Sequence, residues 1–87
     1  MKITDIRVRK IDSGNRMKGI ASITIDDVFV IHDIKIIESE QSLFIAMPSK
    51  KTSNGEFKDI AHPLNTETRE MLQKMVIEKF NETEVEN

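Results

Sequence analysis

The chain has 87 residues, a formal net charge of -2, and 38% hydrophobic and 32% charged residues, a globular composition with room for one modest core. It has no cysteine, which removes disulfides, thiolate catalysis and the common zinc sites together. Apolar runs such as Val28 to Ile31 are strand-sized, far below the roughly 20 residues that span a bilayer, so no membrane association is expected.

Charge is unevenly distributed. Residues 1–18 carry six basic side chains against Asp5 and Asp12, a local net charge of +4, whereas residues 67–87 carry three basic side chains against six glutamates, a net -3. Because the potential met by a ligand is screened beyond roughly 8 to 10 Å, such segregation permits a cationic face on a slightly acidic molecule. A charge cluster is ordinarily just a solvated face, so the charges need a structural context before they carry function. The opening Met1-Lys2-Ile3-Thr4-Asp5 interleaves charges with apolar residues, so a signal peptide is not expected and the expected location is cytoplasmic.

In chain order, the first element is a strand. Ile6 and Val8 fall on one face and Asp5, Arg7 and Arg9 on the other, the period-two pattern of a half-buried strand with a basic outer face. Asp12-Ser13-Gly14-Asn15 has turn chemistry. Met17, Gly19, Ala21, Ile23 and Ile25 then alternate with Lys18, Ile20, Ser22 and Thr24 in a second strand closed by a tight turn at Asp26-Asp27. From Val28 the β-branched density predicts a long central strand, with a bulge or bend at His32-Asp33.

Leu43 to Met47 reads as a short strand stopped or forced to an edge by Pro48. Phe57 to His62 returns as a fifth strand after Ser53-Asn54-Gly55, and Asn-Gly supplies the positive φ angles a hairpin turn requires. Lys50, Lys51 and Lys58 are therefore expected near one another. Asn65 is placed to cap a helix in which Leu72, Met75, Val76 and Phe80 recur at helical spacing, widened by Met71 and Ile77, as a core face laid on the sheet. The expected fold is α+β, a small twisted antiparallel sheet of about five strands with a C-terminal helix packed on it. Residues 1–81 form one domain in this reading, and 82–87 an acidic flexible tail.

Catalytic signals are thin. Asp59 and His62 have D-x-x-H spacing, but residues three apart on an extended chain point to opposite faces, and the adjacent His32 and Asp33 diverge as well. The three glycines, Gly14, Gly19 and Gly55, are too far apart for a phosphate-binding loop. No catalytic residue, metal ligand, cofactor or small-molecule substrate is assigned, and the chain is not read as an enzyme.

Nucleic-acid binding fits better. Lys50, Lys51, Lys58 and Arg69 gather around the hairpin and the helix start, where cations can neutralise phosphate, and Thr52 and Ser53 can add hydroxyl contacts. Arg7, Arg9, Lys10, Arg16 and Lys18 form a secondary basic face. With no Trp or Tyr and four Phe, no base-stacking platform is evident, which favours backbone-dominated duplex binding.

Leu43-Phe44-Ile45-Ala46-Met47-Pro48-Ser49-Lys50-Lys51-Thr52, followed by Gly55-Glu56-Phe57-Lys58-Asp59-Ile60-Ala61-His62-Pro63-Leu64-Asn65, resembles the central signature of the SpoVG family of septation regulators. The resemblance extends back through Ile3 to Arg9, Ala21 to Thr24 and His32 to Lys35, and forward to Thr68-Arg69, sparing only the acidic tail. Ser53-Asn54 stands where the family commonly has Pro-Asp, which changes turn stiffness. The resemblance implies a homodimer that binds DNA, and often RNA, as a regulator of gene expression, tied to sporulation and septation in spore formers and to virulence and cell-envelope genes in non-sporulating relatives. It places the family's basic loop on Lys50, Lys51 and Lys58 and its helix arginine on Arg69. The competing reading is a protein-interaction adaptor that works through exposed strand edges, with the lysines only guarding the hairpin against aggregation.

Overall fold

The computed structural model describes residues 2–11, 14, 16–40 and 42–83. Four strands form one antiparallel sheet in sequence order: β1 (Ile3–Lys10), β2 (Met17–Ile25), β3 (Phe29–Glu38) and β4 (Leu43–Ala46). Two short strands, β5 (Ser49–Lys51) and β6 (Phe57–Asp59), pair only with each other, and α1 (Thr66–Glu82) closes the chain. The architecture is α+β as expected, with six strands among the described residues, divided four and two.

Alternation along β1 and β2 dictates which face meets the helix. Gly19, Ala21 and Ile23 are buried, and Ile6 and Val8 pack beside them while Asp5, Arg7 and Arg9 stay exposed on the other side. The core adds Ile34 and Ile36 from β3, Ile45 from β4, Met47, and Leu72 and Val76 from α1. Fully burying such a side chain contributes about 1.5 to 3 kcal/mol, so the helix is held mainly by these few apolar contacts. Met71 departs from the expected stripe and is exposed. Gly19 leaves room for α1, because a Cβ there would lie 3.3 Å from the Phe80 ring and 3.1 Å from the Arg9 carbonyl oxygen.

A bulge at His32-Asp33 keeps β3 amphipathic. Ala21 faces Ile34 and Ile23 faces Ile31, so β3 holds one residue more than β2 between those pairs. The extra residue changes the parity of the strand and lets Ile31, Ile34 and Ile36 all turn toward the core. Asp33 absorbs the kink at φ 63°. The β2–β3 connection is a three-residue loop, residues 26–28, in which Asp26 and Asp27 have φ 51° and 56°, with the Val28 N–H donating to the Ile25 carbonyl at 3.0 Å. The start of the chain clamps it: the Lys2 N–H donates to Asp26 Oδ1 and the Asp27 N–H to Thr4 Oγ1, both at 3.0 Å.

The fifth strand was expected to join the sheet and does not. In the β3–β4 register Lys35 faces Ala46, so continuing the ladder would set Pro48 against the left-handed Asp33. Proline has no N–H to donate and Asp33 is off the strand path, so pairing ends at Ala46 and the chain turns away into the β5–β6 ribbon. The first polar turn falls largely outside the described residues, although Gly14 has the positive φ of 73° that a turn uses. Of the acidic tail, Glu82 is the last helical residue and Thr83 caps α1 through its N–H to the Phe80 carbonyl at 3.1 Å, and the expectation for residues 84–87 lies outside the described residues.

Candidate nucleic-acid interface

The ribbon's geometry follows from its loop. The Gly55 N–H donates to the Thr52 carbonyl at 3.0 Å and the Thr52 N–H to the Glu56 carbonyl at 2.6 Å, which makes a three-residue loop of Ser53, Asn54 and Gly55. Of these three only Gly55 has positive φ, at 86°, so this is a turn followed by a glycine bulge. The Thr52 hydroxyl donates to Asn54 Oδ1. Thr52 is thereby a loop anchor, and its hydroxyl proton is already engaged.

Lys50 pairs with Lys58, and Lys51 with Phe57. Cross-strand partners share a face and neighbours alternate, so Lys50 and Lys58 stand on one face of the ribbon and Lys51 with Phe57 on the other. All three lysines are exposed, and with Thr52 and Ser53 they border one open hollow of about 450 Å3. Two lysines directly opposite each other repel, a modest cost that a bound anion would remove. The expected grouping of Lys50, Lys51, Thr52 and Lys58 is therefore present in space, wrapped around a ribbon.

Arg69 is exposed in the first turn of α1. That turn is well formed: Asn65 Oδ1 accepts the Thr68 N–H at 2.7 Å, and Glu67 lies where the helix dipole favours an anion.

The secondary basic set divides. Arg7 and Arg9 pair with Ser22 and Ile20, which places them on the open sheet face away from α1, along with Lys18. Arg7 Nε also meets Asp5 Oδ2 at 3.1 Å, an exposed pair that contributes little to stability. Lys10 is on the other side, its Nζ 4.6 Å from the centre of the Phe80 ring. Arg16 borders a separate hollow with Ser39, Glu40 and Ser42.

The open face holds two residues the sequence reading did not select. Lys35 on β3 and Arg9 on β1 flank Ile20 of β2 from either side, and His32 Nδ1 lies 2.9 Å from Ser22 Oγ. The bulge falls at His32-Asp33 as expected, and Lys35 lies outward between the buried Ile34 and Ile36. Of the D-x-x-H pair, Asp59 pairs with Ser49 in the ribbon and His62 Nδ1 lies 3.0 Å from the Pro63 carbonyl oxygen. Among the described residues no group of three or more His, Cys, Asp or Glu is arranged to hold a metal ion, and no helix is long and apolar enough to cross a membrane.

A helix-backed antiparallel sheet carrying a detached cationic ribbon is a small α+β protein with its polar chemistry on an appendage rather than in a cleft. The sequence matches the SpoVG family model over residues 1–82. It is 60% identical over 87 residues to a protein of Agathobacter rectalis, covering 100% of this chain and 99% of that one. It is 65% identical over 80 residues to a protein of Caldicellulosiruptor bescii, covering 92% of this chain and 91% of the relative. A Clostridium beijerinckii protein is 61% identical over 80 residues, covering 92% of this chain and 88% of its own length. All three carry the name "Putative septation protein SpoVG". The chain belongs to the SpoVG family.

Proposed function

We propose that this protein is a dimeric nucleic-acid-binding regulator of gene expression in the septation setting its relatives' names indicate and the sporulation setting tied to the family. The observation that carries the reading is the ribbon: Lys50, Lys51 and Lys58 are exposed around the three-residue loop of a ribbon that is not paired with the four-stranded sheet, with Lys50 directly facing Lys58. Cations so arranged meet phosphate groups in a projecting element that fits a groove or tracks a backbone. Arg69 at the start of α1 and the Arg7, Arg9 and Lys35 face supply further phosphate contacts in this proposal.

Self-association is supported by apolar exposure at the end of the β2–β3 hairpin, where Val28 is 84% and Phe29 62% exposed. A two-fold axis there would repeat the ribbon and let two of them engage one polymer. The same apolar residues favour the adaptor reading as the second choice, with a different protein covering them. The test is binding of the wild type and of Lys50→Ala/Lys51→Ala to a promoter-length duplex and to RNA of the same sequence. The proposal expects about a tenfold or greater loss in the variant at low salt with a melting temperature no lower than that of the wild type. Wild-type binding to neither polymer would leave the adaptor reading.

A further inference from the structure

Phe57 is an aromatic side chain with 70% of its surface exposed, in a strand that has no sheet or helix behind it in the ladder. It stands directly opposite Lys51, and Lys58 follows it in β6. A two-stranded ribbon offers no core to either face, so the short β5–β6 pairing does not need a phenyl ring for its own packing. A ring left in water beside a cation has the two features a nucleotide requires of a protein: a flat apolar surface for the base and a positive charge for its phosphate.

We infer that Phe57 is a base-stacking position and that the ribbon takes single-stranded nucleic acid, with one base on the Phe57 ring and an adjoining phosphate on Lys51. The inference rests on the proposed function and specifies its ligand. The strandedness follows from access: in a duplex each base has both flat faces covered by its neighbours and offers only its edges, whereas an unpaired base can be splayed onto a ring. Cross-strand side chains stand about 5 Å apart at Cβ, so base and phosphate of one nucleotide can be met together by Phe57 and Lys51. Lys50 and Lys58, on the reverse face, hold neighbouring phosphates without reading sequence. Stacking of this kind tolerates any base, because each has a π face.

The native chain has no Trp and no Tyr, so Phe57→Trp introduces one strong fluorophore at the site. Wild type, Phe57→Ala and Phe57→Trp are titrated at one low salt concentration with a short single-stranded RNA of mixed sequence and with the duplex formed from it. Phe57→Ala is expected to weaken single-strand binding about tenfold while changing duplex binding by less than about twofold. Phe57→Trp is expected to retain affinity, with emission quenched by the single strand and not by the duplex. Because Phe57 is exposed, both variants are expected to melt with the wild type. Single-strand affinity unchanged in Phe57→Ala, equal losses on both polymers, or an unquenched Trp at saturation would each overturn the inference. So would sedimentation showing a dimeric wild type and a monomeric Phe57→Ala, which would give the ring to a second copy. Wild-type binding to neither polymer would overturn the proposed function itself, a result distinct from all of these.

Discussion

Asp26, Asp27 and Asp33 hold the left-handed conformations on which the sheet's shape depends. A side chain with a Cβ adopts that region at a cost that aspartate bears better than most residues and glycine does not bear. Asp26 has a use for its carboxylate, which accepts the Lys2 N–H. The Asp27 contact to Thr4 runs through the backbone, so Asp27→Gly keeps it and is expected to stabilise the fold by about 0.5 kcal/mol, read as a higher midpoint in urea denaturation. Asp33→Val places a β-branched residue at φ 63° and is expected to cost about 1 to 2 kcal/mol by the same measurement. The two changes make opposite predictions from one cause.

At the scale of elements, the strand faces and the capped helix were legible because each depends on short-range pattern. Ile6 and Val8 alternate with charges, Gly19, Ala21 and Ile23 alternate with Lys18, Ile20, Ser22 and Thr24, three of them polar, and Asn65 precedes a run with Leu72 and Val76 on one side. The detachment of the ribbon was not legible, because it depends on Pro48 coming opposite Asp33, a register set by pairing between segments far apart in sequence. For the same reason the sequence put Lys50, Lys51 and Lys58 near one another but did not divide them between two faces, and it passed over Phe57, whose partner Lys51 is known only from the pairing. Asn65→Ala removes the acceptor for the Thr68 N–H and is expected to cost about 1 kcal/mol in chemical denaturation. Gly19→Val pushes a branched side chain toward Phe80 and is expected to cost about 1 to 3 kcal/mol, with Phe80→Ala partly relieving it in a double-mutant cycle.

For the whole molecule, the features proposed for binding are separate from those that hold the fold. The core lies between α1 and one face of the sheet, whereas the ribbon lysines, Phe57 and the Arg7, Arg9 and Lys35 face lie away from it. Charge removal on the ribbon should therefore alter binding without lowering stability, and removing Lys50 relieves its repulsion from Lys58. If the apolar hairpin end joins two copies, Val28→Ser/Phe29→Ser should give monomers in sedimentation that melt at a temperature independent of protein concentration. Such monomers would keep each ribbon intact and lose the gain from engaging two at once.

The measurement that bears most directly on the ribbon is the slope of log affinity against log salt, compared between wild type and Lys50→Ala/Lys51→Ala on the same nucleic acid. If both lysines neutralise phosphate, the wild type binds more weakly as salt rises, and the variant's slope is shallower by about one unit for each lysine removed from an engaged protomer. An unchanged slope in a variant that folds and associates normally would contradict the assignment and move phosphate binding to the open face of the sheet.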